Sequence, residues 1–229
     1  MPQAIAVCGA PIHICALRVT RLDSQGNVVD ESNNSYVTDN VVDVQVNPVV
    51  ETGLDSTVVG GCDCIVVSYK GTDKLKRFEF VLNLPMFEPA LIEMLTGATL
   101  IEDASTIPVP IGVGWPKQLS CADAQAPNVA VEWWSDLWTD DQQDPNWPYV
   151  HSIYPSSYWQ IGQQTAQNDF SQPQFTGFTR TNTLFGDPYN DLPVTAAAAL
   201  AAGNPGAEFL TTTAPPASEC GYQRVFPIS

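Results

Sequence analysis

The chain has 229 residues, 44% of them hydrophobic, and sets 25 acidic against 9 basic residues for a net charge of −16. This length and apolar content suffice for one large β domain with a sizeable core and argue against disorder. Such an acid surplus excludes nucleic-acid binding by phosphate neutralisation, which needs Lys and Arg, and fits a solubilising acidic surface.

The acids are clustered. No Lys or Arg lies between Arg21 and Lys70, a span holding Asp23, Asp30, Glu31, Asp39, Asp43, Glu51, Asp55 and Asp63. The same holds between Lys117 and Arg180, with Asp123, Glu132, Asp136, Asp140, Asp141, Asp144 and Asp169. Positive charge gathers at Lys70, Lys74, Lys76 and Arg77. The uncharged first 17 residues are interrupted by Pro2, Pro11 and His13 and lack a basic leader, so the expectation is a chain made in the cytoplasm without a membrane segment.

In chain order, residues 12–22 are rich in β-branched residues and predict a strand. Residues 30–40 (DESNNSYVTDN) read as a long polar loop, and Asp30, Glu31 and Tyr36 become candidates for contact between subunits. Residues 41–50 predict a strand in which Val42, Val44 and Val46 alternate with Asp43, Gln45 and Asn47, the pattern of a sheet with one dry and one wet face. Residues 63–70 predict the next strand, and 70–74 a hairpin turn into a further one. Together, 41–84 predict an antiparallel meander with Asp43, Gln45, Asn47 and Asp63 on its wet side.

The strand over 75–84 puts Phe78, Phe80, Leu82 and Leu84 on one face, and Pro85 and Pro89 end its ladder. Pro89 suits the first position of a short helix, Leu91, Ile92 and Leu95 give that helix an apolar stripe, and Gly97 suits its left-handed cap. So short a helix forms only by packing on something.

Further strands are expected over 128–138, 149–154 and 174–182, with extended segments over 101–115 and 211–229. An alanine helix over 196–202 is expected to be capped by Thr195 and ended by Gly203. The predicted fold is mainly β: an antiparallel β-sandwich or open barrel with one short flanking helix. It is expected as a single domain over 1–229, with 189–229 a C-terminal elaboration.

Little here points to catalysis. There is no P-loop, dinucleotide fingerprint or nucleophile elbow, and His13 and His151 are the only histidines. Glu132 beside Trp133 and Trp134 is the one acid in an aromatic setting, and so the acid a glycoside hydrolase would use. Trp133, Trp134, Trp147 and Trp159 are the candidate platforms of a carbohydrate-binding sandwich, against a reading as core. Cys8, Cys15, Cys62, Cys64, Cys121 and Cys220 lack C-x2-C knuckles. They are read first as buried thiols, then as disulfides, and last, with His13, as metal ligands. No catalytic residue, metal or cofactor is assigned.

The stretch Glu88-Pro89-Ala90-Leu91-Ile92-Glu93-Met94-Leu95-Thr96-Gly97, following a strand and a proline, resembles the middle of major tail (tail tube) proteins of long-tailed bacteriophages of the siphophage type. There the pattern is P-x-L-hydrophobic-x-x-L-T-G. A second stretch resembles the C-terminal half of such proteins from phages of actinobacteria. It comprises Tyr149-Val150-His151-Ser152-Ile153-Tyr154-Pro155, Trp159-Gln160-Ile161-Gly162 and Asn182-x-x-Phe185-Gly186-Asp187-Pro188.

The resemblance implies a structural virion protein without catalytic residues, assembled in the host cytoplasm. Its hexameric rings would stack around a tape-measure protein, with the sheet continuing between subunits into a closed tube. DNA would pass through without specific binding. Asp43, Gln45, Asn47 and Asp63 would then face the lumen, while Lys70, Lys74, Lys76 and Arg77 would meet acidic loops of a neighbour. Another virion component, a tail terminator or capsid decoration protein, is the nearest alternative.

Overall fold

Alternation of apolar and polar residues makes most of this chain strand, and the computed structural model places those strands in space. It describes residues 8–31, 33–115, 126–164, 172–217 and 221–223. Cys121, Cys220, Asp123, Lys117 and Asp169 lie outside the described residues.

The first half contains β1 (Ala10–Leu22), β2 (Ser35–Thr38), β3 (Asp43–Glu51), β4 (Asp55–Val59), β5 (Ile65–Lys70), β6 (Lys74–Asn83), α1 (Pro89–Thr96), β7 (Thr99–Glu102) and β8 (Pro110–Gly114). The second contains β9 (Asn128–Thr139), β10 (Gln142–Gln143), β11 (Tyr149–Ile161), β12 (Gln174–Thr179), α2 (Val194–Ala201), β13 (Ala207–Thr211) and β14 (Gly221–Gln223).

Ten strands share one antiparallel sheet, ordered β14-β2-β1-β9-β11-β12-β6-β3, with β10 beside β9 and β13 beside β11. The sheet is strongly curled. Phe80 on β6 and Trp133 on β9 stand three strand positions apart, about 14 Å on a flat sheet, yet their ring centroids are 6.4 Å apart. Phe80 also stacks on Trp159 at 5.4 Å and meets Tyr154 edge-on at 4.8 Å.

α1 fills the hollow. Leu91, Ile92, Met94 and Leu95 are wholly buried against Leu17, Leu82, Val131 and Phe175. The helix begins at Pro89 after an extended Glu88 and ends on Gly97 at φ 71°, whose N–H donates to Glu93 O. Mainly β with a short helix against a curled antiparallel sheet is the architecture the sequence predicts.

The reverse face of the sheet is covered by the C-terminal part of the chain, with Phe185 and Leu200 packed on Leu22, Ala130 and Ile153. α2 starts two residues earlier than expected, at Val194. Pro193 stands at its N-cap, and Thr195 lies inside its first turn without capping it. Gly203 follows at φ 91°.

Several expectations are corrected. Residues 30–40 are not simply a loop: β2 is buried along its whole length between β1 and β14. The strand expected to stop at Tyr154 runs on through Pro155 to Ile161, because a register break between Tyr154 and Ser157 takes up the missing donor. Cys62 and Asp63 are not in a strand but in a tight turn at φ 66° and 56°. The hairpin therefore reverses there and not at 70–74. The strand expected over 174–182 ends at Thr179.

Candidate functional site

β3 and β6 pair down to Glu51 and Lys74, and the same two chain segments then leave the sheet as the ribbon β4–β5, paired from Asp55 and Lys70 outward. What reads as a meander is a sheet hairpin with a projecting arm. At its root Gly53 and Gly71 touch: a Cβ on Gly53 would fall 2.3 Å from Gly71 O, so only glycine permits the crossing. The Gly53 N–H donates to Asp73 Oδ1 at 2.9 Å and the Gly71 N–H to Leu54 O at 2.7 Å. At the tip the Gly60 N–H donates to Cys64 O at 2.8 Å.

Five residues of β4 reach about 17 Å, and every residue of β4 and β5 is exposed. Leu54, Val58, Val59, Ile65, Val66, Val67 and Tyr69 are 53–71% exposed. Val58 pairs with Val67 and Val59 with Ile65, so both faces of the ribbon are apolar. A lone two-stranded ribbon is marginal in water, and a monomeric soluble protein rarely exposes contiguous apolar surface of this kind. The second hairpin, β7–β8, likewise exposes Ile101, Ile107, Val109 and Ile111.

The polar face lies along β3, with its ladder at the Asp43–Asn83 end of the β3–β6 pair, away from the arm root. Gln45 and Asn47 are exposed and Asp43 is half-buried. Asn83 donates to Asp43, Gln174 Nε2 donates to Asn83 Oδ1 at 3.0 Å, and Gln45 Nε2 donates to Asp43 Oδ2 at 3.2 Å. This amide ladder crosses β3, β6 and β12. A shallow groove next to it is lined by Asn47, Glu79, Tyr158, Gln160 and Thr176. The face is thus richer in amides than in acids. Asp63 does not belong to it, standing instead at the arm tip.

Lys70, Lys74 and Lys76 are exposed around the arm root, whereas Arg77 is half-buried and pairs with Glu79 at 2.6 Å. Asp30 and Glu31 are exposed. Tyr36 is a correction: it is 3% exposed, and its hydroxyl donates to Glu88 Oε2 at 3.0 Å. Thr38 and Asn40 donate to the other Glu88 oxygen at 3.0 and 2.9 Å, tying β2 to the start of α1. The expected result for Tyr36→Phe is a loss of about 1 kcal/mol in stability, read by urea unfolding, with assembly unchanged because the residue reaches no surface.

A charged cluster is buried on the reverse face. Arg18 Nε and Nη2 donate to Glu132 at 2.7 and 2.8 Å, and Nη2 also donates to Asp191 at 3.1 Å. The guanidinium lies between the Trp134 ring, at 4.7 Å, and the Tyr189 ring, at 3.1 Å. His151 Nε2 is 3.3 Å from Glu132 Oε1, a close contact without hydrogen-bond geometry, and neither imidazole nitrogen has a hydrogen-bond partner among the described residues. Burial pushes the Glu132 carboxyl up, but the Arg18 charge, the neighbouring His151 and the Arg18 hydrogen bonds outweigh it and hold the group at about 2.

Glu132 is therefore a buried carboxylate locked to an arginine, 1% exposed, and not an acid poised to donate. Trp133, Trp134 and Trp159 are also buried, and among the four candidate sugar platforms only Trp147 is exposed, at 39%.

The reading of the cysteines as buried thiols is corrected too: Cys8, Cys62 and Cys64 are exposed and Cys15 is half-buried, all four free. Burial, with Asp136 facing it, pushes the Cys15 thiol up to about 12. No helix among the described residues is long and apolar enough to cross a membrane. Sequence reasoning missed the arm, since a projecting ribbon and a sheet strand share one periodicity, and no protein family and no curated protein matches the chain.

Proposed function

We propose that this chain is a structural subunit that assembles with copies of itself, in the manner of the tail tube protein of a long-tailed bacteriophage. The observation that carries the reading is the β4–β5 arm: an apolar ribbon that stays exposed among the described residues. In this reading each arm lies on a neighbouring copy, and the sheet edges at β3 and β14 continue between subunits so that no edge stays open. The amide ladder of Asp43, Gln45, Asn83 and Gln174 faces the bore. Amides and a few carboxylates form a wall that does not hold phosphate. At physiological salt, repulsion reaches only about 8 Å from it, so DNA slides without sticking.

The tape-measure protein occupies the bore before DNA does, and Lys70, Lys74 and Lys76 meet acidic loops of the next subunit. The protein belongs to the virion tail and catalyses no reaction. A tail terminator or decoration protein is the second reading, because an apolar arm serves any ring or trimer equally well.

Negative-stain imaging of the purified protein separates them. Long tubes with a central bore support the tube subunit; isolated rings or trimers favour the second reading; a monomer at high concentration contradicts both.

A further inference from the structure

The pairing of β1 with β9 breaks twice in succession. Ile12, Ile14 and Ala16 face Asp136, Ser135 and Trp134, so His13 and Cys15 are each an extra residue opposite a partner strand that advances by only one. Two consecutive bulges re-aim side chains that a regular ladder would hold apart. His13 is further held at φ 27°, an uncommon backbone conformation for a residue with a side chain, and such strain clusters at functional positions. The result is that an imidazole nitrogen, the Cys15 sulfur and an Asp136 carboxylate oxygen all lie within 4.8 Å of one another.

We propose that His13, Cys15 and Asp136 form a binding site for one divalent transition-metal ion, zinc by the nature of the donors. Nitrogen, sulfur and oxygen donors in one cluster suit a tetrahedral ion, with three protein ligands and the fourth position left to water. His13 Nε2 now lies 2.7 Å from Asp136 Oδ2. Zinc-bound nitrogen and oxygen at tetrahedral angles stand roughly 3.4 Å apart, so the pair opens by less than 1 Å to about that spacing. The His13 side chain is 61% exposed and free to make that movement, which also gives the ion its way in.

Asp136 is oriented from behind by Gln143 Nε2, which donates to its Oδ1 at 3.0 Å, the kind of outer support that metal-binding carboxylates carry. The thiol binds as thiolate, releasing its proton to solvent. One thiolate, one carboxylate and a neutral imidazole then balance the ion's two positive charges.

Cobalt titration of the tag-free, full-length protein tests this, because cobalt substitutes for zinc and reports a sulfur ligand by charge-transfer absorption in the near ultraviolet. The expected result is one cobalt per chain with that absorption, displaced by zinc. His13→Ala, at an exposed position that leaves the fold intact, is expected to weaken binding by about tenfold or more. Cys15→Ser is expected to remove the charge-transfer band, and the double variant Cys62→Ser/Cys64→Ser to leave it in place. Absence of the band in the unaltered protein, its survival in Cys15→Ser, its loss in the arm-tip double variant, or unchanged affinity in His13→Ala each overturns the site.

Discussion

Replacing Val58, Ile65 and Val67 together with lysine is expected to abolish assembly while leaving the rest of the protein folded. These side chains are 55, 67 and 57% exposed on the arm and belong to none of the buried clusters. Their loss therefore takes nothing from the core, and the thermal midpoint of the dispersed subunit stays where it was. In the assembled state each is expected to lie against a neighbour. Burying a valine or isoleucine side chain contributes about 1.5 kcal/mol or more, so three account for roughly 5 kcal/mol per arm. At about 1.4 kcal/mol per tenfold, association weakens by on the order of a thousandfold, before the cost of desolvating three ammonium groups is added. Sedimentation velocity reads the size distribution, and far-ultraviolet circular dichroism confirms the fold. Unchanged tubes in the triple variant would mean that the arm is not the joint.

The second large effect is expected inside the subunit. Glu132→Gln should destabilise the fold by about 3–5 kcal/mol, the cost of leaving a buried charge without its partner. Arg18 is 3% exposed and donates to both Glu132 oxygens, so the amide leaves it short of a counter-charge in a place water does not reach. Asp191 offers only partial relief, since it takes one bond from Arg18 while its Oδ1 has no hydrogen-bond partner. Replacing both partners, Arg18→Met with Glu132→Leu, should recover part of the loss, because neither member of the pair is then buried without the other, while Asp191 loses its bond from Arg18.

The pH dependence follows in sign. Glu132 is depressed from 4.5 to about 2, so its stabilisation is complete above about pH 4.5 and is lost as pH falls from there towards 2. Asp191 acts oppositely: burial raises its carboxyl, with Arg18 lowering and Glu132 raising it in turn. Its protonation on acidification therefore favours the fold. In Glu132→Gln the loss of stability across that acid window should shrink, as measured by urea unfolding at a series of pH values.

How much of this was legible in the sequence depends on how far apart the cooperating residues lie. α1 is a local matter, with Pro89, the stripe at Leu91, Ile92 and Leu95, and the left-handed Gly97 all within one short window. The alternation of Phe78, Phe80 and Leu82 is equally local, and these residues do pack into the hollow of the sheet. The polar loop at 30–40 misleads because its buried polar atoms are satisfied by Glu88, some fifty positions away. Arg18 and Glu132 are 114 positions apart, so no spacing rule announces them.

The arm is hidden for another reason. Ile65, Val66 and Val67 read as a strand of the sheet, and Val58 and Val59 fall in what reads as a connection; the separate pairing of β4 with β5 and the exposure of both strands show a projecting ribbon instead. Likewise Cys62 and Cys64 look like residues of a buried strand until the left-handed turn exposes them.

Backbone hydrogen exchange along residues 55–70, followed in dilute and in concentrated protein, tests most directly whether the arm is completed by another copy. Slow exchange on β4 and β5 that appears only as the protein assembles is the expected result, with α1 protected at both concentrations. Fast exchange on the arm within the assembled particle would contradict it and place the joint between subunits elsewhere.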